Sequence, residues 1–197
     1  DKCVVPPDEQ PFFSEKVVYL PHTYYVNDSQ RPISAQLVSR DELGLPAQGF
    51  VFCCFNNSYK ISPMMFDVWM SLLQQVPDSV LWLLEANSTA RENLCNETKK
   101  RGIALSRLVF APKVASSLHL ARHQHADLFL DTLPINAHTT ACDALWARVP
   151  VLTCIGQTFA SRVAASVLTA VGLPELITQN LVEYQALALK LATSPLL

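Results

Sequence analysis

A regular alternation of apolar runs and helical patterns, beginning at Phe50, constrains the fold of this chain more than any other feature. The apolar runs have the length of strands, and Gly102 stands where a glycine ends a helix. Strands that are apolar throughout and separated by helices are typical of a parallel sheet covered on both faces. We therefore predict a doubly wound α/β fold, with strands at 50–55, 80–85, 108–111, 127–131 and 150–154 and helices at 63–76, 88–101, 116–125, 139–147, 158–171 and 175–193.

The first 49 residues lack this alternation and are rich in proline. Within them only the run KVVYL, residues 16–20, has the pattern of a short strand. With 197 residues and 50% hydrophobic composition, the chain can fill one core of ordinary size, so we interpret residues 1–49 as a lead-in. The absence of an initiator Met and the end directly after a helical pattern indicate a piece of a longer protein.

Charge and cysteine usage restrict the partners of the chain. The 15 basic and 17 acidic residues are interspersed and give a formal net charge of −2, so we expect neither nucleic acid nor a membrane surface as a partner. No run is long enough to span a bilayer, and the polar, proline-rich start is unlike a signal peptide. The six cysteines lie mostly in apolar surroundings without C-x-x-C spacing, which predicts reduced thiols and a cytoplasmic protein without a zinc site.

Three loops occupy the positions at which doubly wound sheets bind ligands, namely 55–62, 111–118 and 131–140. Neither G-x-G-x-x-G nor G-x-x-x-x-G-K-[ST] occurs, which disfavours nicotinamide dehydrogenases and P-loop enzymes. In the first loop, Asn56, Asn57 and Lys60 precede a predicted helix. A lysine in that position can neutralise a phosphate that the helix dipole already favours, and the alternative is a solvated lysine in a capped turn.

The third loop combines groups that suit an anion. Thr139 and Thr140 open the predicted helix with hydroxyls beside free amides, and His138 precedes them. Asp143 lies on the same side of the first turns, where it would repel a phosphate but accept a hydrogen bond from a ribose hydroxyl. The alternative is that the threonines only cap the helix and that Asp143 only complements its dipole.

His119, Arg122 and His123 fall within one turn of another predicted helix. The spacing of the two histidines is that of some metal sites, but Arg122 would oppose a cation, so we predict no metal. A histidine ring beside a guanidinium suits stacking on a flat base, and an ordinary exposed helix is the alternative. The serines lack a nucleophile-elbow context, which disfavours a hydrolase.

Five separated segments follow in order: FNNSYKI, VPDSVLWLLEAN, RLVFAP, ADLFLDTLPINAHTTACDALWARVPVLT and FASRVAASVLTAVGLPELI. Together they resemble the catalytic region of the O-linked N-acetylglucosamine transferase family, in particular its bacterial SPINDLY-like members. The resemblance implies a GT-B glycosyltransferase with two Rossmann-like lobes. In it, residues 50–197 correspond to the second, nucleotide-sugar-binding lobe, and residues 1–49 to the end of the first lobe and the connection.

The activity that this resemblance implies is transfer of N-acetylglucosamine from UDP-GlcNAc to protein Ser or Thr hydroxyls. The reaction inverts the sugar and needs no metal or other cofactor, and the acceptor binds through upstream regions, so the fragment alone is expected to be inactive. Two alternatives remain open. One is a transferase for another nucleotide sugar such as GDP-fucose, and the other is a non-catalytic lobe for binding or assembly.

The resemblance also assigns roles to individual residues. Lys60 and His138 correspond to catalytic groups at the leaving diphosphate, and the implied substrate-binding residues are Asn57, Lys60, His119, Arg122, His138, Thr139, Thr140 and Asp143. Among these, His119 stacks on the uracil, Arg122 contacts its edge and Asp143 binds the ribose. Asn57 replaces a glutamine of animal members, and Ser116 replaces a nucleotide-contacting lysine. His138 favours UDP-GlcNAc over GDP-fucose as the donor.

Overall fold

The computed structural model describes residues 1–36 and 38–194. At its centre lies a sheet of six parallel strands in the order β3-β2-β1-β4-β5-β6. The chain adds strands to one side of β1 and then returns to add the others on the opposite side, so β1 and β4 are neighbours where the direction reverses. The strands are β1 (Val51–Cys54), β2 (Val80–Leu84), β3 (Leu108–Ala111), β4 (Leu128–Leu130), β5 (Val151–Cys154) and β6 (Ile177–Thr178).

Helices cover both faces of this sheet. Helix α6 returns to pack against α1, while α4 contacts both α3 and α5. Local signals explain several ends: Pro63 opens α1 behind Ser62, whose hydroxyl accepts a bond from Met65 N at 3.3 Å, and Gly102 follows α2 with φ of +74°. The helices are α1 (Pro63–Gln75), α2 (Ser88–Lys100), α3 (Ser116–Arg122), α4 (Thr139–Trp146), α5 (Val163–Ala170) and α6 (Leu181–Thr193).

The predicted fold class and its five strands are confirmed, with differences at the boundaries. The helices predicted at 116–125 and 158–171 each divide into an α-helix and a 3-10 turn. The last helix begins at Leu181 rather than at 175, because the Asn180 side chain caps it by accepting a bond from Glu183 N at 2.9 Å. The residues before that cap form β6, which the sequence did not predict.

The strand predicted at 16–20 is wrong. This segment has no strand partner in the described part of the chain, and Val17 and Tyr19 instead pack their side chains on a small apolar cluster with Val163. Nearby, Arg162 forms a paired contact with Glu9 at 2.6 and 2.7 Å. The lead-in therefore lies against α5 through side chains rather than through backbone pairing.

The core continues directly beneath the carboxyl end of β4. Trp69 of α1 and Tyr184 of α6 are both fully buried, and these two helices pack against each other. The Tyr184 hydroxyl donates to the Asp131 carbonyl oxygen at 3.0 Å, and Trp69 Nε1 lies 3.5 Å from the same hydroxyl. The loop after β4 thus rests on closely packed aromatic side chains, which restrict its movement.

The six cysteines are all free thiols. Cys53 and Cys54 are fully buried within β1, and burial raises the pKa of both. A thiol in such surroundings stays protonated and unreactive. Among the described residues, no helix is both long and apolar enough to cross a membrane.

Candidate functional site

Two of the three predicted ligand loops, 55–62 and 131–140, meet where the sheet changes direction, while the third, 111–118, follows β3 at the edge of the sheet. The loop after β1 carries Lys60, and the loop after β4 leads to α4. These two strands are adjacent, with Phe52 opposite Leu128 and Cys53 opposite Phe129, so the loops that follow them share one edge of the sheet. In open α/β sheets, such a reversal point forms the crevice in which ligands bind.

Helix α4 begins at this crevice with unsatisfied amides. His138 is its N-cap residue, and the His138 side chain makes no capping bond. No described residue accepts a hydrogen bond from the backbone N–H of Thr139, Thr140 or Ala141. Donors directed outward at the positive end of a helix are a binding arrangement for a phosphate or carboxylate.

Lys60 brings a positive charge to the same place. Lys60 Nζ donates to the Asn136 carbonyl oxygen at 2.7 Å, which places the ammonium group beside the loop that enters α4. Burial lowers the pKa of Lys60, and the negative charge of Asp131 opposes this effect. The structure therefore brings together the lysine and the helix start that the sequence predicted as one anion site.

His138 has a second feature of a ligand-binding group. Its Nε2 atom is buried, and no described residue bonds to it. Burial lowers the pKa of His138 and the nearby positive charge of Lys60 lowers it further, while a hydrogen bond with the Ala160 backbone opposes both; the net pKa lies below its ordinary value, so the ring is mainly neutral at pH 7. Tyr25 packs edge-on against this ring with centroids 6.2 Å apart, and the Tyr25 hydroxyl bonds to the Thr139 hydroxyl.

A buried polar network, centred on Asp131, holds the loop after β4 in place. One carboxylate oxygen of Asp131 accepts from the amides of Thr132 at 2.7 Å and Ala137 at 2.6 Å, and the other accepts from the Thr153 hydroxyl at 2.6 Å. Burial raises the pKa of Asp131 to about 6, although these bonds oppose the rise. The network fixes the backbone directly before His138.

Asn56 joins that network to the loop after β1. Its amide nitrogen donates to the Thr132 hydroxyl at 2.8 Å and to Asp131 at 3.3 Å, while its oxygen accepts from the Thr140 hydroxyl. Asn56 is only 2% exposed, and it therefore links the two loops by hydrogen bonds rather than contacting a ligand. The signal for such a residue is weak, since it is simply a polar side chain directly after a buried strand.

Asp143 lies one turn inside α4 and is 8% exposed. Its carboxylate pairs with Arg31, with 2.5 Å between Oδ1 and the guanidinium Nη2. Sequence reasoning missed Arg31 as well as Tyr25, because both come from the lead-in, far along the chain from α4. No local pattern marks either residue.

His119, Arg122 and His123 form one packed cluster on Phe55. The ring centroids of His119 and His123 are 5.1 and 4.9 Å from that of Phe55, and the Arg122 guanidinium carbon is 5.0 Å from it. Burial is the main reason why the pKa of His119 falls to about 3 and that of His123 to about 4. Both rings are therefore neutral at physiological pH.

The bonds of this cluster determine which ring nitrogen of His119 carries its proton. Arg122 Nη2 bonds to His119 Nδ1, and a guanidinium can only donate, so the His119 proton lies on Nε2. Arg122 is 4% exposed and also donates to the Pro112 carbonyl oxygen at 2.6 Å. These partners place it as a support for the His119 ring, and its predicted contact with a base edge stays a prediction.

Asn57 and Ser116, the remaining positions singled out from the sequence, take no part in these contacts. Asn57 is exposed beside Lys60, and its side chain makes no capping bond for the short turn that follows. Ser116 is exposed at the start of α3. Within the described residues, no group of three or more His, Cys, Asp or Glu side chains converges as a metal site would require.

Comparison with known proteins adds the family context. A family model described as glycosyl transferase family 41 matches residues 27–196. The chain is 36% identical over 198 residues to the probable UDP-N-acetylglucosamine–peptide N-acetylglucosaminyltransferase SEC of Arabidopsis thaliana, covering 98% of this chain and 20% of that protein. It is 42% identical over 162 residues to the UDP-N-acetylglucosamine–peptide N-acetylglucosaminyltransferase of Caenorhabditis elegans, covering 82% of this chain and 14% of that protein.

A more distant relative and a solved structure are similar to the same part of the chain. The identity to the probable transferase SPINDLY of Arabidopsis thaliana is 30%, over 98% of this chain and 21% of that protein. The solved structure of a mutant O-GlcNAc transferase from Thermobaculum terrenum superposes with a TM-score of 0.83 at 29% identity, covering 99% of this chain and 37% of that chain. The chain thus spans at most about a fifth of the length of these curated relatives.

Proposed function

The chain belongs to glycosyl transferase family 41, and we propose on that basis that it forms the donor-binding lobe of a protein O-GlcNAc transferase. The intact enzyme would transfer N-acetylglucosamine from UDP-GlcNAc to Ser or Thr hydroxyls of acceptor proteins. Residues 50–197 would form the nucleotide-sugar lobe, and residues 1–49 the end of the first lobe and the connection. Because the chain covers about a fifth of its relatives, the acceptor site belongs to other parts of the protein, and the isolated chain should not transfer sugar.

The observation that carries this proposal is the position of Lys60 beside the open start of α4. When the bond between sugar and diphosphate breaks, negative charge grows on the leaving diphosphate. Lys60, the free amides of α4 and the hydroxyl of Thr139 would stabilise that charge, whereas the Thr140 hydroxyl would have to turn from Asn56 in order to donate to the diphosphate. Preorganised donors of this kind contribute roughly 3 to 4 kcal/mol each to a transition state.

The rest of the site fits the other parts of a nucleotide sugar. His119 offers a neutral ring for stacking on the uracil, and Asp143 accepts from the ribose. His138, neutral and with a buried nitrogen that no described residue bonds, would contact the diphosphate or the sugar. We propose a metal-independent reaction, because Lys60 and α4 already supply positive charge at the leaving group, and an inverting one, as the family resemblance implies. A cytoplasmic location accords with the free thiols.

Calorimetry of the intact protein with UDP, GDP and UDP-GlcNAc tests this function. We expect UDP and UDP-GlcNAc to bind, and GDP to bind more weakly. Tighter binding of GDP would contradict the UDP-GlcNAc donor and indicate another nucleotide sugar, such as GDP-fucose. No binding of any of the three at millimolar concentration would contradict a donor site and indicate a lobe that serves in binding or assembly only.

A further inference from the structure

The Arg31 side chain reaches the candidate site from the lead-in. Its guanidinium pairs with Asp143 across a separation of 112 residues in the chain. Two contacts fix the backbone around it: Trp146 Nε1 donates to the Arg31 carbonyl oxygen at 3.2 Å, and Ser34 N donates to the Ser117 carbonyl oxygen at 3.1 Å. The first anchor lies on α4 and the second on α3, so Arg31 is held beside both helices.

The surroundings of this ion pair are those of the predicted nucleoside subsite. The Arg31 and Asp143 side chains are 18% and 11% exposed, so water screens their interaction only partly. Burial is the main cause of the lowered pKa of His119 and of His123, and the positive charges of Arg122 and Arg31 add to it. The bond from Ser34 to Ser117 also places the segment that carries Arg31 beside α3, the helix that bears the predicted base-stacking ring.

The pair leaves hydrogen-bonding capacity on both partners. Only Oδ1 of Asp143 is bonded by a described residue, which leaves Oδ2 able to accept. A guanidinium has five N–H groups, and the Arg31 side chain uses one of them within the described residues. A hydroxyl both donates and accepts, so two adjacent hydroxyls match a carboxylate and a guanidinium held side by side.

The charges of Asp143 and Arg31 also favour a ligand at this place. An isolated carboxylate one turn inside α4 would repel a diphosphate at the start of that helix. Arg31 compensates that charge through Oδ1 and leaves Oδ2 of Asp143 able to accept.

In the proposed function Asp143 already accepts from a ribose hydroxyl; we propose that Arg31 donates to the adjacent hydroxyl of the same ribose, so that Arg31 is a further specificity-determining residue for ribonucleotide donors. This inference rests on the proposed function, since it needs a nucleotide in the site. It adds a group from the lead-in to a site otherwise built from the sheet and its helices.

Binding measurements on the intact protein test this inference, with UDP and the analogue of UDP that lacks both ribose ring hydroxyls as probes. We expect the wild-type protein to bind UDP at least about tenfold more tightly than the analogue, because hydrogen bonds to charged groups are lost. Arg31→Gln should weaken UDP binding about tenfold and leave the affinity for the analogue unchanged. The UDP affinity of Arg31→Lys should lie between those of the wild type and Arg31→Gln.

Arg40→Gln is the matched control, because Arg40 lies in the same segment and faces Asp127 at 3.8 Å, away from α4. This variant should keep both affinities. Unchanged UDP affinity in a folded Arg31→Gln protein, or an equal loss for both ligands, would overturn the role of Arg31 and leave the proposed function standing. A wild-type protein that binds neither ligand would overturn both. If Arg31→Gln fails to fold, Arg31→Lys takes its place. A weaker affinity for UDP with an unchanged affinity for the analogue would then support the role of Arg31, and an unchanged UDP affinity or an equal loss for both ligands would overturn it.

Discussion

Single residues set the charge of the candidate site through burial and fixed partners. His119 and His123 are held neutral, with pKa values lowered to about 3 and 4, and the bond from Arg122 fixes the proton of His119 on Nε2. The positive charges nearby belong to Lys60, at the predicted diphosphate position, to Arg122, which supports the His119 ring, and to Arg31, which is paired with Asp143. The predicted base position presents a neutral ring whose tautomer does not change between pH 5 and pH 8.

Buried neutral His123 makes the fold sensitive to acid. Its folded pKa of about 4 lies below the ordinary value of 6.5, mainly because of burial, so the unfolded chain takes up a proton first as pH falls. The stabilisation is present above pH 6.5 and is lost as pH falls towards 4. Between pH 7 and pH 5, we expect the free energy of unfolding to fall by about 2 kcal/mol more in the wild type than in His123→Asn.

Urea unfolding at the two pH values measures this difference. The raised pKa of Asp131 has the opposite effect on the free energy of unfolding as pH falls. Asp131 is present in every variant, so its contribution cancels from the comparison. His22→Asn, at an exposed histidine, is the control and should keep the wild-type pH dependence. An equal pH dependence in His123→Asn and the wild type would contradict the neutral, buried state of His123.

At the scale of elements, the site depends on the connection between the ends of β1 and β4. Asn56 supplies it, bonding to Asp131, Thr132 and Thr140. Asn56→Ala leaves buried polar groups without their partner, so we expect it to lower the free energy of unfolding by about 1 to 3 kcal/mol and to weaken UDP binding. Asn57→Ala, at the exposed neighbour, is the control and should change the free energy of unfolding by less than about 0.5 kcal/mol. Urea titrations of both variants measure this difference. Equal losses in Asn56→Ala and Asn57→Ala would contradict this role of Asn56.

The elements also show which parts of the structure local sequence determines. The start of α4 and the position of Lys60 could be predicted because each depends on consecutive residues after a buried strand. The start of α6 and the short β6 could not, because the Asn180 cap and the pairing with β5 decide between helix and strand there. The run at 16–20 has a strand pattern but contacts side chains of α5 instead of a strand, a choice that depends on the tertiary structure.

For the whole molecule, the lead-in contacts the helix at which the candidate site lies. It is held on α5 by the pair of Glu9 and Arg162, and it brings Tyr25 to Thr139 and Arg31 to Asp143. Residues that the resemblance assigns to the first lobe and the connection thus contact the α4 start directly. The sequence could not predict these contacts because the partners lie more than 100 residues apart and follow no periodic pattern.

The central claim is that Lys60 and the start of α4 hold the leaving diphosphate. Its most direct test is the turnover of Lys60→Met in the intact protein, with UDP-GlcNAc and a protein acceptor, measured together with the dissociation constant of UDP-GlcNAc. Methionine keeps the length of the side chain but removes its charge, so we predict that kcat falls roughly 100-fold or more while binding weakens much less. Lys99→Met, at an exposed lysine of α2, should transfer at the wild-type rate. A Lys60→Met enzyme with wild-type kcat would contradict the claim.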